Sequence, residues 1–113
     1  MYCLDTNILI DLFRGDENII SKIEDIKNED IFITPITLCE LFKGVYLSSK
    51  KDKEINEIRN LANSFEILNF NAEVSEEFGE LFFKLSSSGK LIPEFDIIIA
   101  AFVKVNNLTL ITK

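Results

Sequence analysis

The sequence predicts an α/β fold, a three-layer α/β/α sandwich around a mainly parallel central sheet, and two observations carry that prediction. Four short strand-like runs, at Tyr2 to Leu4, Ile31 to Ile33, Glu66 to Asn69 and Thr109 to Thr112, are each bounded by polar or turn residues. Between them the apolar spacing changes to the helical period, so strands alternate with helices along the chain. Sheets of this kind place ligand sites at the carboxyl ends of their strands.

Taken in order, the first strand runs into Asp5, which precedes Thr6-Asn7-Ile8-Leu9-Ile10 and stands where a helix begins. After the second strand, Thr34-Pro35 reads as an N-cap followed by proline at the first helical position, which puts Glu40 about one and a half turns into the helix. A later start is the alternative, because Thr37 and Glu40 have the spacing of a capping box. Ile55, Ile58, Leu61, Ala62 and Phe65 recur at steps of three and four, as do Val74, Phe78, Leu81, Phe82 and Leu85, predicting two amphipathic helices. Ser86-Ser87-Ser88-Gly89-Lys90 reads as the loop between helices. Phe95 to Val105 differs, since Ile97-Ile98-Ile99-Ala100-Ala101-Phe102-Val103 is apolar almost all round and predicts a helix buried on most sides.

At 113 residues, with no repeat, low-complexity segment or linker, residues 1–113 are expected to form one domain with an adequate core. No window approaches the ~20 apolar residues of a membrane span. The N-terminus also lacks the basic-then-apolar layout of a signal peptide, so the expected location is cytoplasmic. There is no histidine, which excludes a Ser-His-Asp triad, a Cys-His dyad and an HExxH zinc site. Cys3 and Cys39 are too few for a Cys₄ zinc site or a disulfide framework, and each sits in an apolar run, as expected of small buried hydrophobes. Asp and Glu number 19 against 12 Lys and Arg, a net charge of −7. That balance argues against wholesale electrostatic adhesion to nucleic acid.

Most of the acids are expected on solvated helix faces, among them Glu24, Asp25, Glu54, Glu57, Glu73, Glu76, Glu77 and Glu80. Three are not so easily placed. Asp5 follows a strand directly, although a helix N-cap worth about 1 kcal/mol would account for it. Glu40 is flanked by apolar residues on both sides. Asp96 enters the most apolar helix; the helix dipole favours an acid there by about 0.3–1 kcal/mol, but does not explain why it heads so buried a segment. Converging on one end of the sheet, three carboxylates would repel unless protonated or bridged by a cation. All-oxygen ligands select Mg²⁺ or Mn²⁺ over zinc or copper.

Leu4-Asp5-Thr6-Asn7-Ile8-Leu9-Ile10-Asp11, Thr37-Leu38-Cys39-Glu40-Leu41-Phe42-Lys43-Gly44, and Asp96-Ile97-Ile98-Ile99-Ala100-Ala101 before Leu108-Thr109-Leu110-Ile111-Thr112 together resemble the PIN-domain family. Within it, the resemblance is to the VapC-type toxins of prokaryotic toxin–antitoxin pairs, and it runs from Met1 to Lys113. It implies a Mg²⁺- or Mn²⁺-dependent endoribonuclease, with Asp5, Glu40 and Asp96 matching the family's first three acidic positions as metal-binding and catalytic residues. Asn7 matches the small polar position that supports the first acid, with Thr6 beside it. Arg14 and Lys43, and also Lys50, Lys51 and Lys53, are candidate phosphate contacts. The implied partners are an RNA substrate, an antitoxin whose C-terminal segment lies in a groove between helices, and a second copy in a homodimer, with no membrane. Phe13, Phe42, Phe78 and Phe82, core by default, could line such a groove or dimer face. The family usually carries a further acid or Asn just after the strand corresponding to Leu108 to Thr112, followed by another short strand and helix. This chain stops at Thr112-Lys113 and so resembles a PIN domain lacking its last part.

Two other readings fit parts of the pattern. A non-catalytic PIN-like interaction module would keep the fold without the chemistry. A phosphatase-type α/β enzyme could use Asp5 as nucleophile; haloacid-dehalogenase-like enzymes of that type usually place another Asp two residues on, where this chain has Asn7.

Overall fold

A computed structural model describes residues 1–113 and contains four strands and six helices. In chain order these are β1 (Tyr2–Leu4), α1 (Thr6–Phe13), α2 (Glu17–Asp25), β2 (Ile31–Ile33), α3 (Pro35–Tyr46), α4 (Lys51–Ala62), β3 (Glu66–Ile67), α5 (Ala72–Ser87), α6 (Glu94–Val105) and β4 (Thr109–Ile111).

Most helix starts are written locally. Asp5 caps α1 by accepting the Thr6 N–H at 2.8 Å, Asp16 caps α2 through Asn18 and Ile19, and Asn71 caps α5 through Val74. Thr34 caps α3 by accepting the Thr37 N–H at 3.1 Å, with Pro35 at the first helical position. This selects the earlier of the two possible starts, and the Thr37–Glu40 capping box does not form.

The sheet is parallel throughout, in the order β3-β2-β1-β4. The chain builds outward from β1 to β2 to β3, then returns through α5 and α6 to lay β4 on the other side of β1. The direction of winding therefore reverses between β1 and β4, where such sheets open a crevice at their carboxyl ends. Two strands are shorter than their sequence patterns. β3 stops at Ile67 rather than Asn69 because its partner β2 ends at Ile33, where Thr34 turns away to cap α3. β4 stops at Ile111 because β1 ends at Leu4, and Thr112 instead gives its hydroxyl proton to Asp5.

Neighbouring residues of β1 face opposite ways, as the strand period requires. Leu4 joins a core with Ile8, Leu9, Ile19, Ile33, Leu41, Val45 and Ile58, under α1 to α4. Cys3 joins the other with Ile36, Leu68, Val74, Ile99, Ala101 and Phe102, under α5 and α6. These two apolar layers on either side of one sheet are the expected three-layer sandwich. Phe13 and Phe42 pack on the first core and Phe78 on the second, while Phe82 lies against Phe78 with ring centroids 6.0 Å apart. Phe13, Phe42 and Phe78 thus take the core role expected by default, and Phe13 also lines a surface hollow. No helix is long and apolar enough to cross a membrane.

Two expectations fail for reasons of helix phase. Cys39 is exposed, not buried, because α3 turns Ile36, Thr37, Leu41 and Val45 inward and position 39 falls on the opposite side. Glu77 is not solvated. It lies three residues after Val74 and four before Leu81, on the packed side of α5; its side chain is only 14% exposed and pairs with Lys104 of α6 at 3.0 Å. Cys3 has the opposite environment to Cys39. Burial, with a smaller contribution from the Asp5 charge, pushes its thiol up to about 12, leaving almost no reactive thiolate at neutral pH. Iodoacetamide should therefore alkylate one cysteine in the native protein, Cys39, and both once it is unfolded; mass spectrometry of the digested protein reads the outcome.

Candidate active site

Asp5, Glu40 and Asp96 arrive in one place by three routes. Asp5 leaves the carboxyl end of the central strand β1 and caps α1. Glu40 is carried inward by α3, which is fixed at its start by Thr34 and Pro35 beyond β2. Asp96 sits in the first turn of α6. All three line a single cleft of about 430 Å³, with Thr6, Asn7, Ile10, Lys43, Gly44, Leu47 and Phe95. Sequence distances of 35 and 56 residues are closed here by the fold alone.

Each carboxylate is held differently. Asp5 accepts the Thr6 N–H on Oδ1 and the Thr112 hydroxyl on Oδ2 at 2.9 Å, so β4 and α1 fix it from two sides. Glu40 accepts the Thr6 hydroxyl on Oε1 at 2.6 Å. Asp96 is exposed at the cleft wall and heads a helix whose apolar residues Ile97, Ile99, Ala101 and Phe102 are buried. Its backbone position is therefore set by the core of α6, while its carboxylate remains accessible.

The donor set suits a hard divalent cation, being all oxygen with no histidine or thiolate lining the cleft. As they stand, no three acidic or thiol side chains form a group that could hold one ion. Mutual repulsion of uncompensated carboxylates favours such separation, and side-chain rotation of the exposed Asp96 is the movement available to close it. The residues fit a Mg²⁺ or Mn²⁺ ion in kind and in common location.

Of the supporting residues, Asn7 lines the cleft from an exposed position, while Thr6 reaches Asp5 through its N–H and Glu40 through its hydroxyl. The basic candidates divide. Lys43 lines the cleft with the acids. Arg14 lines an adjoining hollow of about 310 Å³ with Phe13, Leu41, Ser48, Glu54 and Ile58, which shares Ile10, Glu40 and Gly44 with the first. Lys53 pairs with Glu57 at 3.6 Å and Lys51 lies 5.8 Å from the centre of the Tyr46 ring, neither of them beside the cleft. Sequence reasoning missed Thr112, whose role shows only when β4 pairs with β1. It also missed the exposed apolar rim of Leu47 and Phe95.

An acidic cleft at the switch point of a small parallel sheet, built from a strand end, the interior of α3 and the first turn of α6, defines the class, and the PIN domain family model matches residues 2–113. This chain belongs to the PIN-domain family. Its similarity extends to particular members, ribonuclease VapC2 of Rickettsia felis at 32% identity, over 99% of this chain and 85% of that protein, and ribonuclease VapC2 of Haemophilus influenzae at 32%, over 98% and 84%. Among solved structures it is similar to VapBC2 from Rickettsia felis bound to a DNA fragment from their promoter, with TM-score 0.92, 30% identity and coverage of 98% and 85%. VapBC-1 from nontypeable Haemophilus influenzae gives TM-score 0.87 and 30% identity over 98% and 84%.

Proposed function

We propose that this protein is the toxin of a toxin–antitoxin pair, an endoribonuclease that hydrolyses RNA phosphodiester bonds with Mg²⁺ or Mn²⁺. The observation that carries the reading is the meeting of Asp5, Glu40 and Asp96 in one cleft at the carboxyl end of the sheet. The similarity to VapC ribonucleases and to VapBC complexes supports it.

Asp5 and Asp96 are the residues assigned to hold the ion, and Glu40 to hold it through water or to orient the attacking water. When bound, such an ion supplies a water activated at neutral pH and offsets the charge of the scissile phosphate. Lys43, on the same wall, is assigned a phosphate oxygen and so guides an anionic substrate into an acidic cleft. The adjoining hollow with Phe13, Leu41, Val45 and Ile58 continues from Glu40 and gives an antitoxin segment an apolar seat that would close the cleft. A homodimer is part of the same proposal, as is a cytoplasmic location beside the RNA substrate.

The test is direct. The purified protein should cut structured RNA in Mg²⁺ or Mn²⁺ and stop cutting in EDTA; cutting that survives EDTA would sink the assigned roles. The rival reading, a non-catalytic interaction module, draws on the lack of a preformed three-ligand group. Calorimetric titration with Mn²⁺ separates the two, because the nuclease must bind the ion and a scaffold need not.

A further inference from the structure

Three polar residues are buried in this chain, Thr6, Thr34 and Thr37, and all three belong to one file that ends on Glu40. Thr34 Oγ1 lies 3.3 Å from Thr37 Oγ1, Thr37 Oγ1 lies 3.2 Å from Thr6 Oγ1, and Thr6 Oγ1 lies 2.6 Å from Glu40 Oε1. Two of the three are fully withdrawn from solvent. A buried hydroxyl carries a desolvation cost that valine, of nearly the same shape, would not. Three in succession, leading to a carboxylate in the candidate site, call for a role other than filling space.

Counting protons gives the file a direction. Each hydroxyl has one proton to give, and an ionised carboxylate can only accept. The Thr6 proton therefore goes to Glu40 Oε1, and the Thr6 oxygen is left to accept from Thr37. The Thr37 oxygen in turn accepts from Thr34. At the far end, the Thr34 oxygen accepts the Thr37 main-chain N–H at 3.1 Å, which leaves its own proton free to point along the file. A main-chain donor at one end and a carboxylate at the other thus select a single sense for all three protons, and each bond polarises the next.

We infer that Thr37 and Thr34 are positioning residues that act through Thr6 to fix Glu40, holding Oε1 within the protein and leaving Oε2 as the oxygen with no protein partner. Glu40 then meets a metal ion or its water through one oxygen, in one orientation. The inference rests on the proposed metal-dependent ribonuclease reading and adds to it two residues outside the cleft lining.

Thr37→Val removes the middle link while the residue 37 N–H still bonds to Thr34, so the α3 cap is kept. Outer-shell partners of metal ligands typically govern affinity or activity by about 10- to 100-fold. In the full chain, Thr37→Val should weaken Mn²⁺ binding by roughly that factor in calorimetry, and lower kcat for RNA cleavage with KM for RNA unchanged. Thr37→Ser should restore both. A residue that served packing alone would leave the Mn²⁺ affinity and the kcat-to-KM split where they were. If circular dichroism shows Thr37→Val unfolded, Thr6→Val cuts the last link and is read by the same two measurements. Wild-type Mn²⁺ affinity and kcat in the folded variant, or no restoration by serine, would overturn the inference alone. A wild-type protein that neither binds Mn²⁺ nor cuts RNA would overturn the ribonuclease reading and the inference with it.

Discussion

Asp5→Asn and Asp96→Asn are expected to lose RNA cleavage by more than about 100-fold, beyond the range of partners that only orient a ligand, while the fold survives. The two changes isolate charge from shape. At position 5 an asparagine oxygen can still accept the Thr6 N–H and cap α1 nearly as well as aspartate. Its amide can donate to the Thr112 oxygen where the carboxylate accepted from it. At position 96 the side chain is exposed and the helix behind it is held by buried Ile97, Ile99 and Phe102. Removing one of three negative charges from the cleft also relieves repulsion. Thermal midpoints at or above wild type, with Mn²⁺ binding and cleavage lost, are the expected pair of results. Wild-type cleavage in either variant would remove that residue from the site.

Phe102→Ala is expected to cost stability on the scale of the whole protein. Phe102 is fully buried on α6, and its ring meets the Phe70 ring edge-on with centroids 5.0 Å apart. Truncations of this kind cost about 3–5 kcal/mol, and a typical domain has only about 5–15 kcal/mol in total. Urea denaturation followed by far-ultraviolet circular dichroism should show the midpoint falling steeply or the native baseline lost. Phe83→Ala is the matched control, the same chemical change at a ring 69% exposed, where a shift within about 0.5 kcal/mol is expected. Equal shifts in the two variants would mean that α6 is not the keystone of the second core. Because Asp96 heads the same helix, a loosened α6 should also release the third carboxylate from the cleft.

What the sequence made legible was local. Thr34-Pro35 marks the start of α3, Asp5 marks the turn from β1 into α1, and the apolar run from Ile97 marks a buried helix; each depends on residues within a few positions of one another. The three acids could be singled out for the same reason, since each breaks an otherwise consistent local pattern. What could not be read depended on partners. The ends of β3 and β4 are set by where β2 and β1 stop offering hydrogen bonds, not by their own residues. Glu77 looks like a surface acid until α6 is laid against α5. The spacing Thr34, Thr37, Glu40 is visible in the sequence, but its meaning required Thr6 to arrive from the start of α1.

The placement of β4 beside β1 has a consequence in time. β1 is among the first residues made, yet one side of it stays an open edge until residues 109–111 pair with it, Tyr2 with Thr109 and Leu4 with Ile111. At ordinary translation rates roughly a hundred intervening residues occupy the ribosome for about 5–20 s. Throughout that interval Asp5 lacks the Thr112 hydroxyl, and until α6 is made and docked the cleft has no third wall. On the proposed ribonuclease reading, the cleft would therefore be completed only as synthesis ends, and an antitoxin made in the same period would have several seconds in which to be ready.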